Sequence, residues 1–181
     1  MPASAFPGHT LESAPPAARR TMAAVTGKQG YLPAAVARLA TSPELLDGFL
    51  KSSALFESTT LDPLSREVLV MTMATGNDCH ICVAMHTAKL TALGADPGLI
   101  AALREQRELP DERLEAVRVF TLAVIATAGA VDDATLRTFL ARGYTARNAL
   151  EAVLGIGTYT MSTLANRMTG APVDPQLAAF T

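Results

Sequence analysis

The amino-acid sequence predicts an all-α, single-domain fold of about seven to nine helices. No run alternates apolar and polar residues for long enough to make a convincing strand. Three segments begin with a capping residue followed by proline, at Ser42, Asp62 and Asp96, which is typical of a helix N-terminus. The chain has 181 residues, 49% of them apolar, which is enough to bury one sizeable core.

Proline and glycine set the expected boundaries of the domain. Residues 1–16 contain five prolines or glycines and little periodicity, so we expect an irregular N-terminal arm there. We expect the helical domain to cover residues 17–175 and a short C-terminal tail to cover residues 176–181.

The first four helices are predicted from their start and stop signals. PAARRTMAAVT is rich in alanine and is expected to end at Gly27, and LPAAVARLA has its proline near a helix start. SPELLDGFLKSSALF has Ser42 as N-cap, followed by proline and glutamate in the first turn. DPLSREVLVMTMATG repeats this pattern with Asp62 and is expected to stop at Gly76 and Asn77.

The remaining helices follow the same logic. DCHICVAMHTAKLTALG is predicted to start with Asp78 as N-cap and to stop at Gly94. DPGLIAALREQ opens with Asp96, and LPDERLEAVRVFTLAVIATAG is expected to form a helix of about five turns. DDATLRTFLARG ends at Gly143, and TARNALEAVLGIGTYTMSTLANRMTG closes the fold.

Composition excludes several classes of function. The net charge is −2 and no Lys/Arg cluster is present, so we expect no nucleic-acid or anionic-membrane partner. No apolar run reaches the ~18 residues needed to span a bilayer. The N-terminus lacks the pattern of a secretory signal, so a cytoplasmic location is expected. In that compartment a CxxC motif is more often redox-active or metal-binding than a structural crosslink.

Titratable chemistry is concentrated in one stretch, GNDCHICVAMHTAK, which holds both cysteines and two of the three histidines. With Asp78 as N-cap, Cys79, Cys82 and His86 have the spacing i, i+3, i+7 and lie on one stripe of a helix. Side chains at i and i+3 are close enough for a disulfide after a small adjustment of the first turn. A reversible disulfide between Cys79 and Cys82 is therefore predicted.

Two influences favour a thiolate at this position. The positive end of the helix dipole acts most strongly on Cys79, and His86 lies one turn after Cys82, where it can act as its base. Glu67, in the preceding apolar helix, is a candidate to orient the imidazole. The alternative for Glu67 is an ion pair with Arg66 or Lys89.

The pattern Glu67, eleven residues, Cys79-x-x-Cys82-x-x-x-His86 resembles the active-site signature of the alkylhydroperoxidase D (AhpD) and carboxymuconolactone decarboxylase family. The resemblance covers roughly residues 25–175 and implies an all-α, often trimeric or hexameric protein. It implies a dithiol peroxidase or disulfide oxidoreductase of antioxidant defence without metal or other cofactor. In that scheme Cys82 is the peroxide-reactive thiol, Cys79 its disulfide partner, and His86 with Glu67 the proton relay.

The implied partners are a hydroperoxide substrate together with a dithiol or lipoyl-type reductant or a peroxiredoxin partner. The sequence departs from the family pattern at one position. Family peroxidases place a histidine directly before the second cysteine, where this chain has Ile81, and His80 stands one residue earlier. That is a rotation of about 100° on a helix, so His80 is an accessory candidate and a plain surface position is its alternative.

Other functions remain open at this point. The same scaffold in family members without the cysteines serves a carboxymuconolactone decarboxylase-type lyase, which does not need the dithiol. A non-enzymatic module for metal or redox sensing is a third reading, with Cys79, Cys82, His86 and Glu67 as zinc ligands.

A homo-oligomer is also predicted, most simply a trimer or hexamer. The last helix is apolar or small on most of its circumference, which one domain of this size would not cover alone. Gly155 and Gly157 would permit close approach of a neighbouring helix, and Met161 and Met168 suit an adaptable interface.

Overall fold

A computed structural model describes residues 5–181, so the first four residues of the predicted arm lie outside the described part of the chain. Within that part the all-α prediction is confirmed, because the residues form nine α-helices and one 3-10 helix and no strand. In chain order these are α1 (Pro16–Gln29), α2 (Ala34–Leu39), α3 (Pro43–Glu57), α4 (Pro63–Gly76), α5 (His80–Ala92), α6 (Pro97–Arg104), α7 (Glu112–Ala126), α8 (Asp133–Ala141), α9 (Ala146–Thr169) and the 3-10 helix Pro175–Phe180.

Helix α4 is the centre of the molecule. It packs against α5, α6, α7 and α9, and a continuous run of its side chains, residues 67–74, is buried. A helix that is apolar nearly all round is stable only where neighbours cover it on several sides. Because Glu67 lies within this run, its carboxylate is placed inside the core.

The predicted N-caps of α3, α4 and α6 are confirmed. The side chain of Ser42 accepts a hydrogen bond from the Leu45 N–H at 3.3 Å, and Asp62 accepts one from the Ser65 N–H at 3.0 Å. Asp96 caps α6 in the same way. These bonds satisfy backbone donors that a helix start leaves without a partner.

Two helices differ in extent from the expectation. Helix α1 continues through Gly27 and ends only at Gly30, which has a φ of +80°. One glycine in a helix interior costs about 1 kcal/mol relative to alanine, which the surrounding alanine-rich turns tolerate. Helix α7 has 15 residues, shorter than five turns, because the chain leaves the helix at Ala128 and Gly129, both with positive φ.

Helix α9 is buried on one side and uncovered on the other. Thr145 and Asn148 form a capping box at its start. Gly155 faces inward, and a Cβ there would lie 2.5 Å from a ring carbon of Phe56. The close approach predicted for this glycine is therefore made by the chain's own helix α3. The opposite side of α9 exposes five large apolar side chains: Leu150, Val153, Leu154, Leu164 and Met168.

Both ends of the described chain are attached to the helices. The His9 N–H donates to the Ala37 carbonyl at 3.0 Å, and Ala14 is buried against α1 and α3. The 3-10 helix packs on α5, and its Phe180 carbonyl accepts a hydrogen bond from Arg104 at 2.8 Å. Among residues 5–181, no helix combines the length and apolarity needed to cross a bilayer.

Candidate active site

The turn between α4 and α5 positions the first cysteine. The Asp78 N–H donates to the Thr75 carbonyl and the Cys79 N–H to the Ala74 carbonyl at 2.9 Å, while Asp78 has a φ of +51°. This is a Schellman ending of α4 with Asp78 in the left-handed position. The prediction that Asp78 caps α5 is wrong: Cys79 is the N-cap residue and α5 begins at His80.

Cys79 and Cys82 are joined by a disulfide in this structure, with their Cα atoms 5.3 Å apart. Both side chains are almost completely buried, with 1% and 3% of their surface exposed. Apolar groups from several elements surround them, including Ala35 of α2 and Val173 of the C-terminal segment. Because Cys82 lies in the first turn of α5, the partial positive charge of the helix start acts near its sulfur.

One turn after Cys82, His86 faces the core and contacts Glu67. The distance from His86 Nδ1 to Glu67 Oε2 is 2.6 Å, and the two side chains are 4% and 10% exposed. A carboxylate accepts hydrogen bonds, so it favours the tautomer in which Nδ1 carries the proton. The Nε2 atom is then left as the basic nitrogen of the ring.

Glu67 is ionised by its neighbours in spite of its burial. Burial alone would raise the pKa of its carboxyl, but His86 and the Lys89 ammonium outweigh this and hold the pKa below its usual range. Burial would lower the pKa of Lys89, yet Glu67 at 3.5 Å and Glu57 at 3.0 Å keep it above the usual value. Glu67 is therefore a carboxylate next to the imidazole at neutral pH, and the Lys89 ammonium lies on its other side.

The carboxylate side of the pair faces a surface cavity of about 270 Å³. Its lining residues are Glu57, Pro63, Arg66, Glu67, Lys89, Ala92 and Leu93. The sulfur atoms do not line this cavity. The cavity therefore opens to Glu67, while the cysteines stay buried.

Tyr159 of α9 holds the other side of the imidazole. Its ring meets His86 edge to face with centroids 5.4 Å apart, and Phe56 and Phe49 contact the same tyrosine ring. Burial raises the pKa of the Tyr159 phenol, so it stays protonated at neutral pH. Tyr159 fixes the plane of the histidine without adding charge.

Helix α9 also clamps the turn that carries the cysteines. Asn77 Nδ2 donates to Thr163 Oγ1 at 2.8 Å, and Arg167 donates to the Asn77 carbonyl at 2.7 Å and to Asp78 at 3.0 Å. In the buried layer below, Asn166 Nδ2 donates to Cys82 Sγ at 3.4 Å. The disulfide is therefore held between α5 and α9, which are distant in sequence.

The structure buries four of the five candidate residues in two contacts. Glu67 and His86 form one buried pair, and Cys79 and Cys82 form a buried disulfide at the start of the same helix α5 that carries His86. The side chain of His80, by contrast, is 84% exposed and lies 3.9 Å from Asp78 on the surface. Glu67 was predicted either to orient the imidazole or to form an ion pair with Arg66 or Lys89. It contacts both His86 and Lys89.

Sequence reasoning missed Asn166 and Tyr159 of α9. Their only sequence signal was the spacing of polar residues on the core-facing side of that helix, where Ser162 and Asn166 are one turn apart. Among residues 5–181, no three histidine, cysteine or acidic side chains converge as a metal site would require.

Comparison with known proteins gives the following matches. No protein of curated function matches this sequence. The AhpD-core, peroxidase-related protein of Ralstonia eutropha superposes with a TM-score of 0.82 at 22% identity, covering 98% of this chain and 95% of that one. A peroxidase-related protein of a Silicibacter species superposes with a TM-score of 0.79 at 19% identity, covering 96% and 92%.

A third solved structure is similar over the whole chain. A cysteine-to-alanine variant of the debrominase Bmp8 in complex with 2,3,4-tribromopyrrole superposes with a TM-score of 0.76 at 15% identity, covering 99% of this chain and 96% of that one. At these identities the three likenesses establish the fold.

The family match covers the segment that contains the site. Residues 43–123 match the carboxymuconolactone decarboxylase family, and this segment includes Glu67, both cysteines and His86. The remaining helices complete the AhpD-like fold seen in the solved structures. On these grounds residues 43–123 match the carboxymuconolactone decarboxylase family, and the chain has the AhpD-like helical fold.

Proposed function

We propose that this protein is a thiol-dependent hydroperoxide reductase that works through the Cys79–Cys82 pair in antioxidant defence. The single observation that carries the proposal is the buried bond of 2.6 Å between His86 and Glu67, one turn from Cys82. It supplies an oriented base next to a redox-capable dithiol, which is the arrangement that activates a thiol nucleophile.

The first chemical step oxidises Cys82. His86 Nε2 takes the thiol proton, and the thiolate attacks the terminal oxygen of the hydroperoxide. An S–O bond forms as the O–O bond breaks, and the imidazolium returns the proton to the departing alkoxide. Cys82 becomes a sulfenic acid and the hydroperoxide becomes an alcohol.

The second step closes the disulfide. The Cys79 thiolate attacks Cys82 Sγ, an S–S bond forms, and the sulfenic oxygen leaves as water after taking one proton. An external dithiol, such as one of lipoyl type, then supplies two electrons and two protons by thiol–disulfide exchange and becomes a disulfide itself. No resident cofactor takes part in this scheme.

Position favours Cys82 as the attacking thiol. Cys82 is one turn from His86, whereas Cys79 is two turns away, so only Cys82 has proton delivery within reach. Cys79 is the N-cap residue of α5, where the helix start favours its own thiolate for the second step.

A second candidate function is the reductive removal of a halogen atom from an aromatic ring by the same dithiol. The ring would gain hydrogen, the halide would leave, and the cysteines would become a disulfide. Because a debrominase with a similar fold binds 2,3,4-tribromopyrrole, a brominated pyrrole should be tested as a substrate beside the hydroperoxides. The lyase alternative makes no use of the disulfide, so we rank it below both.

The test is turnover with defined reagents. Purified protein, an organic hydroperoxide and dihydrolipoamide are mixed, and peroxide loss is followed for wild type, Cys82→Ser and His86→Gln. We expect Cys82→Ser to be inactive and His86→Gln to be slowed by 10²-fold or more, on the order of general-base catalysis. His80→Gln is the matched control, because that imidazole is exposed.

Two results would contradict the proposal. One is a Cys82→Ser protein that consumes peroxide as fast as wild type. The other is a wild type that leaves every hydroperoxide untouched but debrominates the pyrrole with the same dithiol.

We also propose that the protein assembles as a trimer or hexamer through α9. Its uncovered side presents five large apolar side chains along one helix of 24 residues. A contiguous apolar surface of this kind marks a protein interface more often than a free surface.

A further inference from the structure

The amide of Asn166 contacts the sulfur that the proposed chemistry uses. Asn166 Nδ2 lies 3.4 Å from Cys82 Sγ and 3.4 Å from Ser162 Oγ, and the residue is 3% exposed. It comes from α9, 84 positions along the chain from Cys82. Neither the sequence motif nor the His86–Glu67 pair includes it.

The orientation of this amide follows from chemistry. A sulfur in a disulfide carries no hydrogen and can only accept, so the NH₂ group of the amide must face it. The two N–H bonds are then directed at Cys82 Sγ and Ser162 Oγ. The carbonyl oxygen Oδ1 is buried and has no hydrogen-bond partner.

An unpaired buried carbonyl lowers stability, and an apolar side chain of the same shape would avoid that loss. An asparagine at this position is therefore not explained by the packing of the fold. Stability given up at one residue is characteristic of sites that serve a reaction.

The reduced site needs a donor of this kind. Burial of Cys82 disfavours its thiolate, because a charge in an apolar environment loses the solvation of water. His86 can take the proton, but as an imidazolium it must then give that proton to the alkoxide. A neutral N–H donor holds the thiolate throughout, because it does not titrate.

We propose that Asn166 is a catalytic residue of the dithiol site, whose N–H donates to the Cys82 thiolate and stabilises it for attack. The catalytic use of this hydrogen bond rests on the proposed function. The hydrogen bond itself acts on the thiol whether the substrate is a hydroperoxide, a halogenated ring or a disulfide.

The experiment measures the acidity of one thiol. Cys79→Ser leaves Cys82 as the only thiol, and its alkylation by iodoacetamide is followed from pH 5 to pH 10. In this background Asn166→Leu removes the donor with little change of shape, and Asn166→Asp replaces it with a negatively charged acceptor. We expect Asn166→Leu to raise the pKa of the Cys82 thiol by about 1 and to slow alkylation at lower pH about tenfold.

Asn166→Asp should raise this pKa further, because a carboxylate repels the thiolate. Thiol pKa values equal to that of the parent in both Asn166 variants would overturn the proposal. Thr158→Val is the matched control. Thr158 is buried on the same helix, but its hydroxyl donates only to the Leu154 carbonyl of α9, so the thiol should keep the parent pKa.

Thermal unfolding separates this role from a structural one. Since the Asn166 carbonyl has no partner, we expect Asn166→Leu to unfold at the same temperature as its parent or above it. A lower midpoint together with an unchanged thiol pKa would mean that Asn166 only supports the fold. Alkylation requires no peroxide, so the result stands even if the wild type reduces no hydroperoxide, an outcome that would refute the proposed function alone.

Discussion

Replacing Glu67 with glutamine tests the electrostatic part of the site. The Glu67→Gln side chain keeps the size and can still accept from His86 Nδ1, but it loses the charge. A hydrogen bond to a charged group contributes about 1.5–3 kcal/mol when buried, and a neutral one about 1 kcal/mol. Glu67 and His86 are 10% and 4% exposed, so solvent screens the pair little. We expect a loss of about 0.5–2 kcal/mol at pH 7.

The pH dependence of this loss has a definite sign. The neighbours of Glu67 hold its folded-state pKa below its usual range. Its contribution to the free energy of unfolding is therefore complete above the unfolded pKa of about 4.3, and it disappears as the pH falls through the folded value. Glutamine does not titrate, so the difference between wild type and Glu67→Gln should shrink as the pH falls below the unfolded pKa of about 4.3.

Urea unfolding at fixed protein concentration, at pH 7, 5 and 3, measures both effects. Glu57→Gln is the matched control, because Glu57 is the exposed partner of Lys89, with 54% of its side chain accessible. An exposed pair of this kind contributes about 0.5 kcal/mol. The reasoning is refuted if Glu67→Gln is as stable as wild type at pH 7, or if the difference between them does not shrink in acid.

Three further outcomes are expected. Glu67→Gln and His86→Gln should each slow peroxide reduction, and the double variant should be little slower than the worse single one. A double variant whose loss in rate equals the product of the two single losses would mean that Glu67 and His86 act separately. Gly155→Ala should lower the free energy of unfolding in urea by about 1–3 kcal/mol, because the new methyl group overpacks against Phe56. The control Gly48→Ala has open space and should leave this free energy unchanged or raise it, so equal losses in the two variants would contradict the prediction. Light scattering at micromolar concentration should give three or six times 19.0 kDa, and a mass of one chain would refute the assembly.

Local signals were enough to predict most of the fold. Ser42, Asp62 and Asp96 cap their helices as expected, because each is followed by proline, which fixes the chain direction within a residue. Asp78 shows where such signals fail. Aspartate is favoured both as an N-cap and as a left-handed residue after a helix. The choice depended on how tightly α4 had to turn into α5, which the sequence does not display.

The candidate site also has a part that the sequence predicts and a part that depends on tertiary packing. Glu67, Cys79, Cys82 and His86 lie within 20 consecutive residues, so their spacing on two adjacent helices was readable from the sequence. The contacts of Asn166 with Cys82 and of Tyr159 with His86 cross from α9. Only the packing of α9 against α4 and α5 brings them together, and a single sequence carries no register for that packing.

The central claim is that Cys82 attacks a hydroperoxide and Cys79 resolves the product, and a stoichiometric thiol count tests it most directly. Reduced protein is mixed with one equivalent of an organic hydroperoxide, and the remaining thiols are titrated. Wild type should lose two thiols and about 2 Da within one peptide that carries both cysteines. Cys79→Ser should lose its one thiol as a sulfenic acid, and Cys82→Ser should keep its one thiol. A Cys82→Ser protein that loses its thiol as fast as wild type, or a wild type that forms only intermolecular bridges, would contradict the account.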